Sequence, residues 1–132
     1  MHQGARAIIL KKRKILLGKR LKKDSFYGQW CTFGGVSEIN ETPEQTLKRE
    51  LSEELGIDIV NPKLVTVEED ELPEVKGKLR QYFYLVKDWN GKIANRREHL
   101  EIRWFSLNEL KNLKLGRVVK RVIENNLKDF LT

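Results

Sequence analysis

Residues 35–57, GVSEINETPEQTLKRELSEELGI, carry a complete set of signals for one helix. Thr42 can cap the N-terminus, Pro43 suits the first helical position, and Gln45 completes a capping box with Thr42. Gly56 is a natural C-terminal stop, because glycine readily adopts the left-handed conformation that ends many helices. The stretch therefore predicts a helix that begins at Pro43 and ends just before Gly56.

This helix would place its leucines and its carboxylates on neighbouring faces. At about 100° per residue, the leucines at positions 47, 51 and 55 form one apolar stripe. The edge beside this stripe is acidic and consists of Glu50, Glu53 and Glu54. Arg49 precedes Glu53 by four residues, a spacing at which an ion pair can orient the carboxylate.

The three carboxylates allow two interpretations. One is an ordinary acidic helix face in solvent. The other is a site for Mg²⁺ or Mn²⁺, since these ions prefer hard oxygen donors and Mg²⁺ is often held by few carboxylates together with water and substrate phosphates. A carboxylate-bridged iron site is disfavoured because no histidine follows Glu50 at the Glu-x-x-His spacing.

The spacing of the whole stretch decides between these interpretations. Gly35 is followed after five residues by Glu41, and after seven more by RELSEELGI at residues 49–57. This pattern matches all nine defining positions of the Nudix box, so the sequence resembles the Nudix hydrolases. The resemblance implies an α/β fold, the Nudix α/β/α sandwich with a mixed central sheet. It also implies divalent-metal-dependent hydrolysis of a nucleoside diphosphate linked to another group.

The resemblance further implies which residues hold the metal. The cofactor would be Mg²⁺, with Mn²⁺ possible, and the ligands would be Glu50, Glu53, Glu54 and the carbonyl oxygen of Gly34. Arg49 would orient a glutamate. Glu41 would bind metal or support the loop, or it would simply place a favourable charge near the helix N-terminus.

The resemblance also implies a further carboxylate, acting as metal ligand or general base, from the loop before a late strand that contains tryptophan. Glu98 is the favoured residue and Glu101 is the alternative. His99 lies between them, and we expect it to be structural or exposed.

The composition describes a soluble globular protein. The chain has 132 residues, of which 39% are hydrophobic and 34% charged, and this is enough to bury the core of one domain. The one cysteine, Cys31, excludes an internal disulfide. No stretch approaches the roughly 20 apolar residues of a membrane span, and the N-terminus lacks a signal-peptide pattern. We therefore expect a cytoplasmic protein, a single Nudix domain over residues 1–132, and no membrane partner.

The net charge of +7 is distributed unevenly. Residues 1–23 contain many basic side chains and no acidic one, whereas most of the charged side chains in residues 38–58 are acidic. The basic excess serves solubility, or it attracts a polyanion such as a phosphorylated small molecule or a nucleic acid. We expect a small nucleotide rather than a nucleic acid as the partner, and a monomer or homodimer.

The rest of the chain reads as strands and helices in alternation. ARAIIL and KILLGKR predict a hairpin that turns at residues 11–13, and KLVTVEE, LRQYFYLVKD and EIRWFSL predict further strands. Ser106 and Glu109 form a second capping box at the start of a short helix. In the last helix the apolar stripe predicted to pack on the core consists of Val118, Val119, Val122, Ile123, Leu127 and Phe130.

Several residues before the box are candidates for contact with the substrate. The basic candidates for phosphate binding are Arg20, Lys22 and Lys23, and the aromatic candidates for stacking on a base are Phe26, Tyr27 and Trp30. The favoured reaction converts a (deoxy)nucleoside triphosphate to the monophosphate and pyrophosphate.

Two other functions remain open. The first is an ADP-ribose or nucleotide-sugar pyrophosphatase. Family members that act on ADP-ribose often carry a proline about sixteen residues after the box, and Pro73 lies at that distance from Ile57. Members that act on oxidised guanine nucleotides tend to place an amide or acid before the last helix, and LKLGRV at residues 113–118 has neither. This weakens an oxidised-guanine assignment, for which Asn112 and Asn125 are the alternative residues. The third function, a non-catalytic nucleotide sensor or RNA-binding module, is disfavoured because such members usually lose box glutamates and this chain keeps them.

Overall fold

The computed structural model describes residues 2–21, 28–71, 76–96, 99–127 and 130. Its elements are β1 (His2–Lys11), β2 (Lys14–Arg20), β3 (Trp30–Cys31), β4 (Phe33–Val36), α1 (Pro43–Leu55), β5 (Asp58–Val60), β6 (Lys63–Asp70), β7 (Leu79–Val86), β8 (Asp88–Asn90), β9 (His99–Ser106), α2 (Leu107–Leu110) and α3 (Arg117–Asn125). The predictions that lie outside the described residues concern Lys22, Lys23, Phe26, Tyr27, Pro73 and Glu98.

The predicted hairpin is confirmed. Lys12 and Arg13 form its tip with φ values of 51° and 61°. Two consecutive left-handed residues are what a type I′ turn requires, and this turn matches the twist of the strands that it joins. The strands pair antiparallel next to the tip, with Leu10 opposite Ile15.

β1 is shared by both halves of the main sheet. On one side it runs parallel to β7 from His2 to Ile9, and β7 pairs antiparallel with β6. On the other side its partner changes from β4, at residues 4–7, to β2, at residues 9–11. β2 continues past this change between β3 and β9. The sheet is therefore mixed, and β2 and β4 pair with successive parts of the same edge of β1.

The helix from Pro43 to Leu55 has the predicted bounds and caps. The Thr42 hydroxyl accepts a hydrogen bond from the backbone N–H of Gln45, and the Gln45 side chain accepts one from the backbone N–H of Thr42. Gly56 closes the helix with a φ of 72°, and its N–H donates to the carbonyl of Ser52. These local bonds fix the direction in which the acidic edge of α1 faces.

Apolar side chains cover both faces of the main sheet. On one face α1 packs its three leucines against β1 and Phe33, and on the other α3 packs Val118, Val122 and Ile123 against Ile8 and Phe83. This is the expected α/β/α sandwich with a mixed central sheet. None of the helices in the described part of the chain has the length and hydrophobicity that a bilayer span requires.

Two details differ from the sequence-based expectations. Leu127 is 41% exposed and does not continue the buried stripe, because α3 ends at Asn125. β5 and β8 pair as a separate two-stranded sheet that the sequence patterns do not predict. Each of these strands has three residues, too few to show a recognisable alternation of apolar and polar side chains.

Candidate active site

Gly34 brings strand β4 into contact with helix α1. Its φ of 148° is a conformation that side-chain-bearing residues rarely adopt, and a Cβ here would lie 2.0 Å from the carbonyl oxygen of Ala5. The N–H of Gly34 donates a hydrogen bond of 3.0 Å to Oε2 of Glu54. The backbone of β4 therefore holds one carboxylate of the acidic edge.

Gly35 allows a second carboxylate to approach the same strand. A Cβ on Gly35 would lie 2.6 Å from Cδ of Glu50, so any larger residue would displace this carboxylate. Gly34, just before the box, and Gly35, its first residue, are thus glycine for different physical reasons. Gly34 is required by the backbone conformation and by Ala5, and Gly35 by the closeness of Glu50.

Arg49 forms ion pairs with two carboxylates of the acidic edge, Glu50 and Glu53. Its Nη1 lies 2.8 Å from Oε1 of Glu50 and 3.5 Å from Oε2 of Glu53. The sequence places Arg49 beside Glu53, and the structure brings it to Glu50 as well. Hydrogen bonds to Glu41 above all, and then to Glu50, raise the pKa of Arg49, which stays fully charged.

Glu41 supports the loop that precedes α1. Its carboxylate accepts hydrogen bonds of 2.8 Å and 2.9 Å from Nε and Nη2 of Arg49, a bidentate pair. It also accepts bonds from the Thr46 hydroxyl and the backbone N–H of Glu38. Of the roles considered for Glu41, these contacts favour support of the loop, with Arg49 as its anchor.

Replacing Glu41 by glutamine should make folding less sensitive to acid. The hydrogen bonds from Arg49 lower the pKa of Glu41 from its ordinary value of 4.5 to about 2. A carboxyl whose pKa is lower in the folded protein adds stability above the unfolded pKa, and this stability disappears as the pH falls from about 5 to 2. We expect Glu41→Gln to reduce the free energy of unfolding by about 1–2 kcal/mol at pH 7, after allowance for solvent screening. Urea unfolding at pH 7 and pH 3 measures this difference, which should be smaller at pH 3.

Glu38→Gln is the matched control for this prediction. Glu38 also faces Arg49, at 3.7 Å, but its side chain is 71% exposed. An exposed pair of this kind contributes little, so we expect a change below about 0.5 kcal/mol. Equal losses in the two variants, or an unchanged difference at pH 3, would contradict the role given to the Glu41–Arg49 pair.

The donor set of this edge fits a hard divalent cation. Carboxylate oxygens are the ligands that Mg²⁺ and Mn²⁺ prefer, and Glu50, Glu53 and Glu54 supply them from one helix. In the described residues no three acidic, histidine or cysteine side chains already converge on one point. Glu50 and Glu53 instead turn toward Arg49, and Glu54 toward Gly34. Small rotations of these side chains would therefore be part of binding a cation.

The two residues on either side of Leu100 have different surroundings. Glu101 pairs with Arg103 at 2.8 Å, and its side chain is 40% exposed. His99 is expected from the sequence to be structural or exposed, and the structure shows it to be mostly buried, with Nε2 4.0 Å from Oε1 of Glu54. The proximity of His99 to the acidic edge has no signal in the sequence beyond its nearness to Glu98.

A cavity of about 400 Å³ opens on the face of the sheet that carries α3. This volume lies within the range of small-ligand sites. Its polar and charged lining consists of Arg6, Arg20, Gln29, Cys31, Asp70, Glu71, Gln81 and Arg117. The structure thus places Arg20 in the lining of this cavity, together with residues that the sequence analysis does not single out.

Arg6 is the clearest of these additions. Its guanidinium donates to both the hydroxyl and the carbonyl of Thr32, which fixes it in the cavity wall. A charged residue at the second position of ARAIIL, in an otherwise apolar run, is the signal that could have revealed it. Burial raises the pKa of the neighbouring Cys31 thiol, which remains protonated at neutral pH.

Trp30 has a different position from the one expected of a base-stacking residue. It is 7% exposed, and its ring packs edge-on against Phe105 with ring centroids 4.8 Å apart. Lys19 and Arg103 also lie over the ring. The structure therefore assigns Trp30 to the core, because Phe105 and these cationic side chains surround it.

Comparison with known proteins places this geometry in a family. The model of the NUDIX domain matches residues 1–125. An 8-oxo-dGTP diphosphatase of Buchnera aphidicola subsp. Schizaphis graminum is 35% identical over 79% of this chain and 76% of its own length. A CTP pyrophosphohydrolase of Escherichia coli K12 is 35% identical over 78% and 74%. The crystal structure of a MutT NUDIX hydrolase from Burkholderia pseudomallei superposes with a TM-score of 0.84 at 26% identity, covering 93% of this chain and 95% of the other.

Proposed function

The chain belongs to the NUDIX domain family, and from this premise we propose that it is a Mg²⁺-dependent pyrophosphohydrolase of (deoxy)nucleoside triphosphates. The products would be the nucleoside monophosphate and pyrophosphate. The observation that carries the proposal is the position of the acidic edge of α1, held by Gly34 and Arg49, near a cavity whose charged lining is three arginines and two acidic residues.

The strand segment from Cys31 to Gly34 connects these two features. Cys31 lines the cavity. Gly34, three residues after Cys31, donates its backbone N–H to the Glu54 carboxylate. An extended chain rises about 3.3 Å per residue, so the two ends are at most roughly 10 Å apart, a span comparable with that from a nucleobase to its phosphates. One nucleotide could therefore occupy the cavity and the acidic edge together.

We assign each residue a role in cation binding, orientation or phosphate binding from its position. Glu50, Glu53 and Glu54 would hold the cation, and Arg49 would keep the first two oriented. A bound Mg²⁺ neutralises phosphate charge and lowers the pKa of a coordinated water, which is what hydrolysis of a phosphoanhydride requires. Arg6 and Arg20 supply positive charge at the cavity for the triphosphate, while the rest of the lining faces the nucleoside.

The base remains open between purine and pyrimidine. Two relatives with 35% identity are named for different nucleotides, 8-oxo-dGTP and CTP, so identity at this level does not select one of them. The N-cap of α3, Gly116, and its first residue, Arg117, line the cavity, and neither is the amide or acid expected of a reader of oxidised guanine. An unmodified (d)NTP is accordingly the substrate that we place first.

A metal-supplemented screen tests this proposal. Purified protein would be incubated with canonical and oxidised (d)NTPs, ADP-ribose and a nucleotide sugar, each with Mg²⁺, with Mn²⁺ and with EDTA. We expect NTP cleavage to monophosphate and pyrophosphate that EDTA abolishes, and ³¹P NMR after reaction in H₂¹⁸O identifies the phosphorus that water attacks. Release of inorganic phosphate and a diphosphate would contradict the proposed bond. Hydrolysis of ADP-ribose alone would favour the alternative substrate class.

A further inference from the structure

His99 occupies a defined slot at the start of strand β9. Its backbone pairs with Arg20 of β2, and its carbonyl oxygen accepts a hydrogen bond of 2.9 Å from the Asn95 side chain. The side chain is only 12% exposed. The strand pairing and this hydrogen bond therefore fix the backbone of His99, and its imidazole is mostly buried although it lies at a strand end.

The slot exists because residue 18 is glycine. A Cβ on Gly18 would lie 2.5 Å from Cδ2 of His99 and 2.9 Å from Cε1 of Phe33. The Phe33 ring meets the imidazole edge-on, with centroids 4.9 Å apart and planes at 62°. Gly18 lies in the middle of β2, where glycine costs stability relative to a β-branched residue. Its presence is explained by the space that the His99 ring requires.

The imidazole is aimed at the most buried carboxylate of the acidic edge. Glu54 is 9% exposed, and a carboxylate so buried needs partners that compensate its lost hydration. Gly34 N–H provides one at Oε2, and Nε2 of His99 lies 4.0 Å from Oε1. A shift of about 1 Å would turn this electrostatic contact into a hydrogen bond. The two oxygens of Glu54 thus face two different donors from two different strands.

We propose that His99 is a positioning residue that orients the Glu54 carboxylate toward the divalent cation. The contact requires a proton on Nε2. Partners that orient a metal-binding carboxylate commonly change metal affinity or activity by about 10–100-fold when they are removed. The inference rests on the proposed function, because it assumes that Glu54 binds the cation.

The test compares two replacements of His99, each of which keeps one of its two properties, the ring or the hydrogen-bond donor. His99→Phe keeps a ring between Gly18 and Phe33 but has no donor, and His99→Gln keeps a donor but no ring. Mn²⁺ binding to the nucleotide-free protein, measured by EPR of the free ion, gives a readout independent of turnover. We expect His99→Phe to weaken Mn²⁺ binding and reduce kcat by about 10-fold or more with little change in KM, and His99→Gln to recover part of both losses.

Two further variants distinguish an error in the proposed metal site from an error in the role of His99. Leu100→Ala, at the neighbouring and 45% exposed position, should bind Mn²⁺ like the unmodified protein. Glu54→Gln should lose most Mn²⁺ affinity. Wild-type affinity in Glu54→Gln would contradict the proposed metal site itself. Loss in Glu54→Gln with wild-type affinity in a folded His99→Phe would overturn only the role of His99. Circular dichroism and thermal melts of all variants show whether each one is folded.

Discussion

Replacing Glu53 by glutamine is expected to reduce hydrolysis by roughly 10³-fold while leaving the protein folded. The change removes one negative charge from the proposed metal site but almost no volume. The Glu53 side chain is 44% exposed, and its ion pair with Arg49 is long at 3.5 Å. Such a pair contributes at most about 1 kcal/mol to stability. Activity and stability should therefore separate, and kcat/KM together with a urea unfolding curve measures both.

Glu44→Gln provides the matched control for this change. Glu44 lies on the same helix, is exposed, and is not part of the acidic edge. We expect its activity to stay within about twofold, with a small loss of helix stability because Glu44 lies in the first turn. Full activity in Glu53→Gln, or an equal loss in both variants, would show that the acidic edge is not the metal site.

Replacing Gly34 by alanine is expected to destabilise the fold by about 3 kcal/mol or more. The new Cβ would lie 2.0 Å from the carbonyl oxygen of Ala5, and the φ of 148° would be strained for any L-residue. Relief requires β4 to move away from β1, which would also remove the Gly34 N–H from Glu54. A loss of this size is a large part of the roughly 5–15 kcal/mol that stabilises a domain. Denaturant unfolding measures it.

Gly77→Ala separates the contact from the backbone strain. Gly77 also has a positive φ, 86°, but a Cβ there would meet no atom within 4 Å. Its replacement should cost only about 1–2 kcal/mol, the price of a left-handed alanine. If both glycine variants lost the same stability, the contact between β4 and β1 would not be the reason for glycine at position 34.

The parts of the structure that the sequence predicts are those fixed by near neighbours. The bounds of α1 follow from Thr42, Pro43, Gln45 and Gly56, which act within one turn of each helix end. The β1–β2 hairpin follows from two apolar runs joined by a short basic turn. The spacing of the box carboxylates places them on one edge for the same reason, since helical periodicity is local.

The parts that the sequence does not predict depend on contacts between distant segments. The cavity combines Arg6 of β1, Gln81 of β7 and Arg117 of α3, and no local pattern relates these positions. The core position of Trp30 follows from its packing on Phe105, a residue of a strand far along the chain. His99 reaches Glu54 because β9 pairs with β2, and only the sheet order reveals this.

The shared strand β1 has a consequence for how the protein assembles. α1 can form early because its caps are local, but its carboxylates meet Gly34 only after β4 has paired with β1. β1 must also find β7 across more than half of the chain, and such distant pairing is slow. A cation that recognises only the finished edge would therefore leave the folding rate unchanged and slow the unfolding rate. Its concentration would set the lifetime of the native state and not the time taken to reach it.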